Sequence, residues 1–371
     1  MISQLRDRMS HWDITSPRLN ELANEFLDDD SQQPFFLFMH YFDAHYDHLA
    51  ETVDPELAKK FDPSYSGPFD GSNWYFDERV MDTRPPFKRN ISDRDLEHVI
   101  AFYDVEINWV DRHLGYLIEK LKSQGVWENT IIMLVSDHGD EFFEHNSIGH
   151  RSTLFAEQVR IPMVLRLPNT ARAGARIQNV SRIYDVAPTL LDLATGTQFD
   201  CGGESLRPDL EGKAVSRDAF QNIFSGGHRR SHKLNISDAW RNSKFSVIRS
   251  FRYDQANSNE TNIAIIPLLQ RVSNSPFLVF DRKLDPEEST PLLPNNPLYS
   301  KAIEEYQIAF DKQQKYLSTV KHSAVEDCLI ITLSAEEDEI LSQLGYSSAL
   351  EDESGFDIMK LRLSELPNLT N

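Results

Sequence analysis

Apolar and polar positions along the chain predict two kinds of element. Residues 16–30 and 92–125 carry apolar side chains at helical spacing, with Ser92 placed to cap the longer helix and Gly125 to end it. Phe35 to Tyr41 and Thr130 to Val135 are instead short, nearly continuous apolar runs. Such runs are typical of strands that are covered on both faces, and the second run favours a parallel sheet.

Polar side chains with metal-ligand chemistry follow both runs directly. Strands inside parallel sheets place their chemistry at their carboxyl ends. Asp137 supplies a hard oxygen ligand and His138 an imidazole, so the pair could contact one divalent cation. The residues that follow are also polar or flexible: Gly139, Asp140, Glu141, Glu144, His145, Gly149, His150 and Arg151. A solvated acidic loop with an Asp-His hydrogen bond is the alternative interpretation.

Similar metal-ligand residues follow the first run: Asp43, His45, Asp47 and His48. Residues 49–90 then show no sustained period, which predicts a long ordered loop; its Trp74, Tyr75 and Arg79 either shape a subsite or pin the loop to the core. Further elements follow from local pattern: a helix at 152–159, a strand at 161–167, an edge strand at 176–180 and a helix at 184–194.

The sequence pattern of the chain changes after Gly196. Residues 244–251 and 276–288 favour strands, and residues 333–346 favour a closing helix. A basic cluster containing Arg229 and Arg230 lies at 228–233, where a solvated turn and a subsite for an anionic saccharide both remain open. We therefore predict two domains, 1–196 and 197–371.

Composition narrows the classes of function. The 371 residues contain 40% hydrophobic side chains, enough for a sizeable core. The 38 basic and 58 acidic residues give a net charge of −20, which argues against nucleic acid as a partner. No apolar run reaches the ~20 residues of a membrane span. Two cysteines, Cys201 and Cys328, form no disulfide framework and no metal-ligand spacing.

Several motifs, taken in order, resemble the sulfatase family of the alkaline phosphatase superfamily. They are YDVEINWVD, TIIMLVSDHGDEFFEH and GHRSTLFAEQVRIP between Asp104 and Pro162, together with the D-x-x-P-T-L-L form that begins at Asp185. The resemblance implies an α/β fold in which helices sandwich a sheet, with a smaller C-terminal α+β domain. It also implies hydrolysis of sulfate esters with a bound divalent cation, calcium above all.

The resemblance also assigns roles to residues of this sequence. Asp137 and His138 would bind the metal, and His45 would donate a hydrogen bond to a sulfate oxygen. His150, or Arg151 beside it, would stabilise or protonate the leaving oxygen. We expect both histidines to converge on the cleft that holds Asp137. The substrate would be a sulfated small molecule or saccharide, and the oligomeric state stays open.

One part of the family pattern is absent from the sequence. Sulfatases carry a C-x-P-x-R or S-x-P-x-R motif whose Cys or Ser becomes formylglycine, but Cys201 precedes GGES and Cys328 precedes LII. We therefore expect the chain to be the C-terminal two-thirds of a longer protein, whose missing N-terminal part carries the formylglycine. An extracytoplasmic location, periplasmic or secreted, is favoured for the full-length protein.

Two other functions stay open at this point. Asp43, His45, Asp47, His48 and His150 could serve a second metal in a phosphodiesterase or phosphonate hydrolase of the same superfamily. A non-catalytic protein that keeps the sulfatase fold and binds without turnover is the other alternative.

Overall fold

The computed structural model describes residues 15–29, 34–45, 54–69, 80–82, 88–150, 153–198, 202–213, 215–226, 233–254 and 277–324. The α-helices are α1 (Thr15–Asp29), α2 (Pro55–Phe61), α3 (Asp93–Ser123), α4 (Ala156–Val159), α5 (Val186–Thr195), α6 (Arg207–Leu210) and α7 (Pro297–Ala324). The strands are β1 (Met81–Asp82), β2 (Lys88–Arg89), β3 (Ile132–Val135), β4 (Glu141–Phe142), β5 (Ile148–Gly149), β6 (Met163–Arg166), β7 (Ala219–Gly226), β8 (Lys233–Arg241), β9 (Phe245–Asp254) and β10 (Phe277–Asp281).

The long helix α3 confirms the strongest helical prediction. The Ser92 hydroxyl accepts a hydrogen bond from the Asp95 backbone N–H at 3.2 Å, which satisfies one of the free donors of the first turn. Gly125 ends the helix in a left-handed conformation with φ of 71°. Val99 and Phe102 lie on its buried face, and both α1 and α2 pack against the helix.

Helix α1 confirms its prediction, whereas α2 was missed inside the segment read as a long loop. Asp54 caps α2, because its carboxylate accepts a hydrogen bond from the Leu57 N–H at 3.0 Å, and Pro55 occupies the first helical position. This cap and a first-position proline are sequence signals for a helix start. They were outweighed by the lack of a sustained period in so short an element.

Strand β3 forms where it was predicted, but its environment was predicted wrongly. It pairs antiparallel with β6, and Leu134 lies opposite Val164 in the register. These two side chains are 38% and 57% exposed rather than covered. The chain returns along β3 after the loop that carries the polar motif, so the partner is an antiparallel strand and not a parallel neighbour.

The run Phe35 to Tyr41 does not form a strand, which corrects the second strand prediction. Phe36 is 78% exposed and Phe38 is 76% exposed. An extended segment becomes a strand only when its N–H and C=O groups pair with a neighbour, and no strand pairs with this segment among the described residues. The apolar pattern therefore could not show whether this segment has a strand partner.

The largest sheet of the described residues is an antiparallel meander in the order β10-β9-β8-β7. Its β9 and β10 confirm the strand predictions for residues 244–251 and 276–288. Trp240, Ile248 and Phe280 are fully buried in it. Leu154 and Phe155 pack on this sheet, so the segment that follows the polar motif is anchored to it.

Other local predictions had mixed outcomes. The helix predicted at 184–194 is confirmed as α5, and the strand at 161–167 as β6. The short helix predicted at 152–159 is confirmed in part, as α4. The edge strand predicted at 176–180 is wrong, because these residues follow a turn with positive φ at Arg172 and Gly174 and pair with no strand in the part of the chain that the structure describes. The helix α7 was not predicted.

Some predictions lie outside the described residues. They concern Trp74, Tyr75 and Arg79, the basic cluster at 228–232 and the closing helix at 333–346. Among the described residues, Thr15–Tyr306 form one compact unit and residues 307–324 belong to a second. The domain boundary at residue 196 stays a prediction. Within the same described residues, none of the helices combines the length and apolar character needed to cross a membrane.

The cap of α3 gives a first testable prediction. Ser92→Ala removes the acceptor for the Asp95 N–H and should lower the free energy of unfolding by about 1 kcal/mol in urea titrations. Ser92→Asp keeps an acceptor at the cap and should retain most of the stability. Equal losses for both variants would contradict the assignment of Ser92 as the cap.

Candidate active site

The end of β3 presents Asp137 and His138 through a tight turn. The Ser136 hydroxyl donates to the His138 carbonyl at 2.6 Å, and Asp137 Oδ1 accepts the His138 N–H at 2.9 Å. Gly139 lies so close to the backbone of α4 that a Cβ atom on it would stand 2.2 Å from the Glu157 carbonyl oxygen. The glycine is therefore required by close packing, and the turn is fixed by it.

His138 is held in one tautomer by its surroundings. Its Nδ1 lies 3.1 Å from the Gly139 carbonyl oxygen, and a carbonyl can only accept, so Nδ1 carries the proton. The Nε2 atom is then the ligand atom of the neutral ring, and it lies 3.7 Å from Asp137 Oδ2. Two metal-ligand bonds of about 2.1–2.4 Å can span that separation, so one cation can contact both atoms. Asp137 is 54% exposed, which leaves it accessible to a cation.

His150 lies at the end of the hairpin formed by β4 and β5. Its Nδ1 is 2.8 Å from Asp140 Oδ1, and both side chains are buried. An ionised carboxylate accepts only, so Nδ1 donates and the Nε2 edge is the one that can face a ligand. The buried carboxylate thus fixes the orientation of the imidazole, as it does for many catalytic and metal-binding histidines.

His45 reaches the same place from a remote part of the sequence. Its ring stacks on Phe42 at 4.4 Å between centroids. It lies 5.3 Å from the His150 ring and 6.4 Å from the His138 ring, and these last two rings are 4.0 Å apart. One nitrogen from each of the three imidazoles falls within 4.8 Å of the others. The cluster can therefore surround either a small cation or one oxyanion.

The predicted convergence of His45 and His150 with the Asp137–His138 turn is thus present in the structure. The roles assigned to these residues stay predictions. Arg151, the alternate to His150, lies outside the described residues.

A second group of metal-ligand residues, Glu141, His145 and Glu157, lies close by. His145 uses both ring nitrogens as donors: Nδ1 lies 2.7 Å from Glu157 Oε1, and Nε2 lies 2.9 Å from the Glu288 carbonyl oxygen. Neither nitrogen keeps a lone pair for a metal. This group is therefore a hydrogen-bonded ionic network rather than a cation site.

Asp43, which the sequence offered as a ligand of a second metal, is already occupied as an acceptor. Its carboxylate receives hydrogen bonds from the Thr15 hydroxyl at 2.6 Å, from the Ser16 hydroxyl at 2.6 Å and from the Ser16 N–H at 3.0 Å. These donors belong to the first turn of α1, so Asp43 caps that helix from a distance. Asp47 and His48 lie outside the described residues.

Sequence reasoning missed two residues that shape the cluster. Asp140 was noted only as part of an acidic run, although it orients His150, and Phe42 was not singled out, although it supports the His45 ring. The signal for Asp140 was available, since a carboxylate two residues after His138 lies in the same turn. Its partner ten residues away could not be read from spacing.

Comparison with known proteins identifies the family. The sulfatase family model matches residues 9–197, just over half of the 371 residues, and the chain belongs to that family. A solved structure of the yidJ protein from Bacteroides fragilis superimposes with a TM-score of 0.53 at 20% identity, covering 82% of this chain and 58% of that one. The α/β fold predicted from the sequence is thereby confirmed.

The chain matches only part of the length of two curated relatives. It is 28% identical over 226 residues to the multifunctional alkaline phosphatase superfamily protein PehA of Trinickia caryophylli, a match that covers 58% of this chain and 40% of PehA. It is 37% identical over 103 residues to an N-acetylglucosamine-6-O-sulfatase of Bacteroides thetaiotaomicron, a match that covers 28% of this chain and 18% of that enzyme. The chain thus spans less than half the length of these relatives.

The assignment of Asp43 as a helix cap predicts a loss of stability on mutation. Asp43→Ala leaves three donors at the start of α1 without their acceptor and should lower the free energy of unfolding by about 1–3 kcal/mol. Asp43→Asn keeps one acceptor oxygen and should lose less. If Asp43→Ala left stability unchanged but removed a bound cation, Asp43 would be a ligand and the cap assignment would be wrong.

Proposed function

We propose that the chain supplies the cation and histidine part of the active site of a sulfuric ester hydrolase. The observation that carries this proposal is the convergence of His45, His138 and His150 beside Asp137, in a chain that belongs to the sulfatase family. A sulfate ester brings a tetrahedral anion, and such a cluster offers both donors and a cation site at one point. Attack at sulfur is favoured by charge stabilisation of this kind.

Asp137 and His138 are the residues proposed to hold the divalent cation. The 3.7 Å between Asp137 Oδ2 and His138 Nε2 supports their binding one ion, and the Gly139 carbonyl supports the tautomer that ligation needs. When bound, the cation offsets the negative charge of the sulfate. Calcium is proposed as the ion, and it takes six to eight oxygen ligands, so further oxygen ligands must join Asp137.

His45 and His150 are proposed to contact different oxygen atoms of the sulfate ester. His45 donates a hydrogen bond to a sulfate oxygen, with its ring held flat on Phe42. His150 presents its Nε2 edge to the leaving oxygen and delivers a proton there, while Asp140 stabilises the charged imidazole from the other side. Proton delivery from a buried, carboxylate-oriented imidazole follows the same physical logic as in other hydrolases.

We further propose that the nucleophile, a formylglycine, comes from an upstream part of a longer protein. The 371 residues hold no C-x-P-x-R or S-x-P-x-R motif, and the chain spans 40% of PehA and 18% of the N-acetylglucosamine-6-O-sulfatase. The exposed Phe36, Phe38 and Val164 also support this proposal, because exposed apolar side chains are suited to covering by further chain. An extracytoplasmic location is proposed for such a longer protein.

A sulfated carbohydrate is the proposed substrate. The similarity to an N-acetylglucosamine-6-O-sulfatase supports this class, since that relative is named for a sulfated amino sugar. The net charge of −20 opposes the approach of any anion. The bound cation and the N–H donors of His45 and His150 must therefore supply the local attraction.

A phosphodiesterase or phosphonate hydrolase is the second candidate. Three imidazoles within 4.8 Å form a nitrogen-rich group that suits a transition metal better than calcium, and PehA is described as multifunctional. The engagement of Asp43 in capping α1 weighs against a second metal that uses it. A content near two metal ions per chain would favour this candidate. Sulfate binding without turnover would favour the non-catalytic alternative.

The cation proposal predicts a site-specific loss of binding. In calorimetric titration with calcium the chain should bind weakly, because few oxygen ligands are present, and Asp137→Ala should weaken binding at least tenfold. Asp93→Ala removes an exposed carboxylate at the start of α3 and should leave binding unchanged. Equal effects of the two substitutions would mean that calcium binds through general surface charge.

The proposed origin of the nucleophile predicts that the chain alone does not hydrolyse an aryl sulfate when calcium is supplied. A version extended upstream through any encoded C-x-P-x-R, made in cells that form formylglycine, should be active, because the missing step is nucleophilic attack. The isolated chain should also be prone to aggregation through its exposed apolar side chains. Metal-dependent turnover by the short chain that disappears in Asp137→Ala would overturn the proposal.

A further inference from the structure

The charge state of His145 follows from its partners. Its Nδ1 faces the Glu157 carboxylate at 2.7 Å and its Nε2 faces the Glu288 carbonyl oxygen at 2.9 Å. A carbonyl oxygen only accepts, and an ionised carboxylate only accepts. Both ring nitrogens must therefore carry protons for both contacts to be hydrogen bonds, which makes the ring an imidazolium.

Two further contacts fix the position of this imidazolium, one to the face of its ring and one to its backbone N–H. The ring stacks on Phe155 with 3.6 Å between centroids and 5° between planes. Phe155 belongs to the core of the four-stranded sheet, beside Ile248 and Phe280. The His145 N–H donates to Glu141 Oε1 at 3.0 Å. The ring thus joins the hairpin of β4 and β5 to the sheet.

The Glu288 carbonyl is a firm acceptor because its own side chain is locked. The buried carboxylate of Glu288 pairs with both Nε and Nη2 of Arg241, at 2.9 and 2.7 Å. Arg241 lies on β8, and its Nη2 also donates to the Leu154 carbonyl at 2.5 Å. We call His145, Glu157, Glu288 and Arg241 the His145 brace.

The charges around His145 favour the protonated ring. Glu157 on α4 and Glu141 on β4 are the carboxylates nearest to it, and the Glu288 carboxylate is compensated by Arg241. Burial by itself would lower the pKa of His145, but the hydrogen bonds to Glu157 and to the Glu288 carbonyl outweigh burial and raise that pKa.

We propose that His145 is a positioning residue whose imidazolium fixes the hairpin between His138 and His150 on the four-stranded sheet, and so sets the separation of these two histidines. His145 lies seven residues after His138 and five before His150, and its contacts described above are to Glu141, Glu157, Glu288 and Phe155 rather than to the proposed cation ligands. The expected effect of the brace on catalysis rests on the proposed function, whereas its effect on the position of the hairpin does not.

Nitrogen-15 NMR of the histidine rings in the full chain tests the charge state directly. Near neutral pH both nitrogens of His145 should show the signature of a protonated ring, whereas a neutral imidazole has one protonated nitrogen. A neutral His145 below the ordinary histidine pKa of about 6.5 would overturn the proposal.

Hydrogen exchange of the same protein tests the positioning. His145→Gln loses one of the two ring contacts and the positive charge, so the amides of His145 and Ser147, which donate to Glu141, should exchange about tenfold to a hundredfold faster. The matched control is His98→Gln. His98 is a buried histidine of α3 whose Nδ1 lies 2.7 Å from Asp62 Oδ2, and the substitution removes this contact. It should leave the hairpin amides unchanged, and equal acceleration in both variants would overturn the proposal.

The pH dependence supplies a readout that simple packing would not move. Because the folded pKa is raised, the stabilisation by His145 is fully present below about pH 6.5 and is lost as the pH rises through the folded value. The stability difference between the chain and His145→Gln should therefore shrink with rising pH. A difference that stays constant across this range would overturn the proposal.

These tests separate the brace from the enzyme assignment. If the NMR and exchange results hold in a protein, extended upstream, that hydrolyses no sulfate ester, the brace stands and the proposed function fails. In an active extended protein, His145→Gln should lower kcat more than it changes KM, and the loss should disappear as the pH rises. A loss independent of pH would contradict the brace.

Discussion

The buried carboxylate of Glu141 is the constraint on which the local structure of the site depends. It has no exposed surface and accepts hydrogen bonds from the backbones of His145 and Ser147 and from the side chains of Thr153 and Gln158. Burial raises its pKa, and the hydrogen bond from Ser147 opposes that rise. A buried carboxylate without such donors would be strongly destabilising, so the hairpin and the segment after it must close around this group together.

That closure explains how remote parts of the chain meet at one cluster. The hairpin carries His150, the turn before it carries His138, and the segment after it reaches the four-stranded sheet through Leu154 and Phe155. His45 arrives separately, from a segment that is held by the contact of Asp43 with α1. Two independent anchors, one on a helix and one on a sheet, therefore set the distances among the three imidazoles.

The sequence predicted the local elements well, but it predicted poorly which elements and side chains contact one another. Helix α3 was predictable because its apolar face repeats at helical spacing, and because Ser92 and Gly125 each act on the end of the helix beside them. The environment of β3 was not, because an apolar run does not say which strand lies beside it, and Leu134 proved exposed. For the site, the resemblance to the sulfatase family predicted that His45 and His150 would converge on the turn that carries Asp137 and His138. The pairing of His150 with Asp140 and the capping by Asp43 depend on tertiary contacts that spacing does not encode.

The histidines of this region show why residue type alone cannot assign chemistry. His138 and His150 each give one nitrogen to an acceptor of the protein, the Gly139 carbonyl in one case and Asp140 in the other. In the proposed function, the second nitrogen of each ring faces the cation or the substrate. His145, in the same motif, gives both nitrogens away and becomes a charged link between hairpin and sheet. The number of fixed acceptors around a ring therefore decides whether it can act as a ligand, a proton donor or a brace.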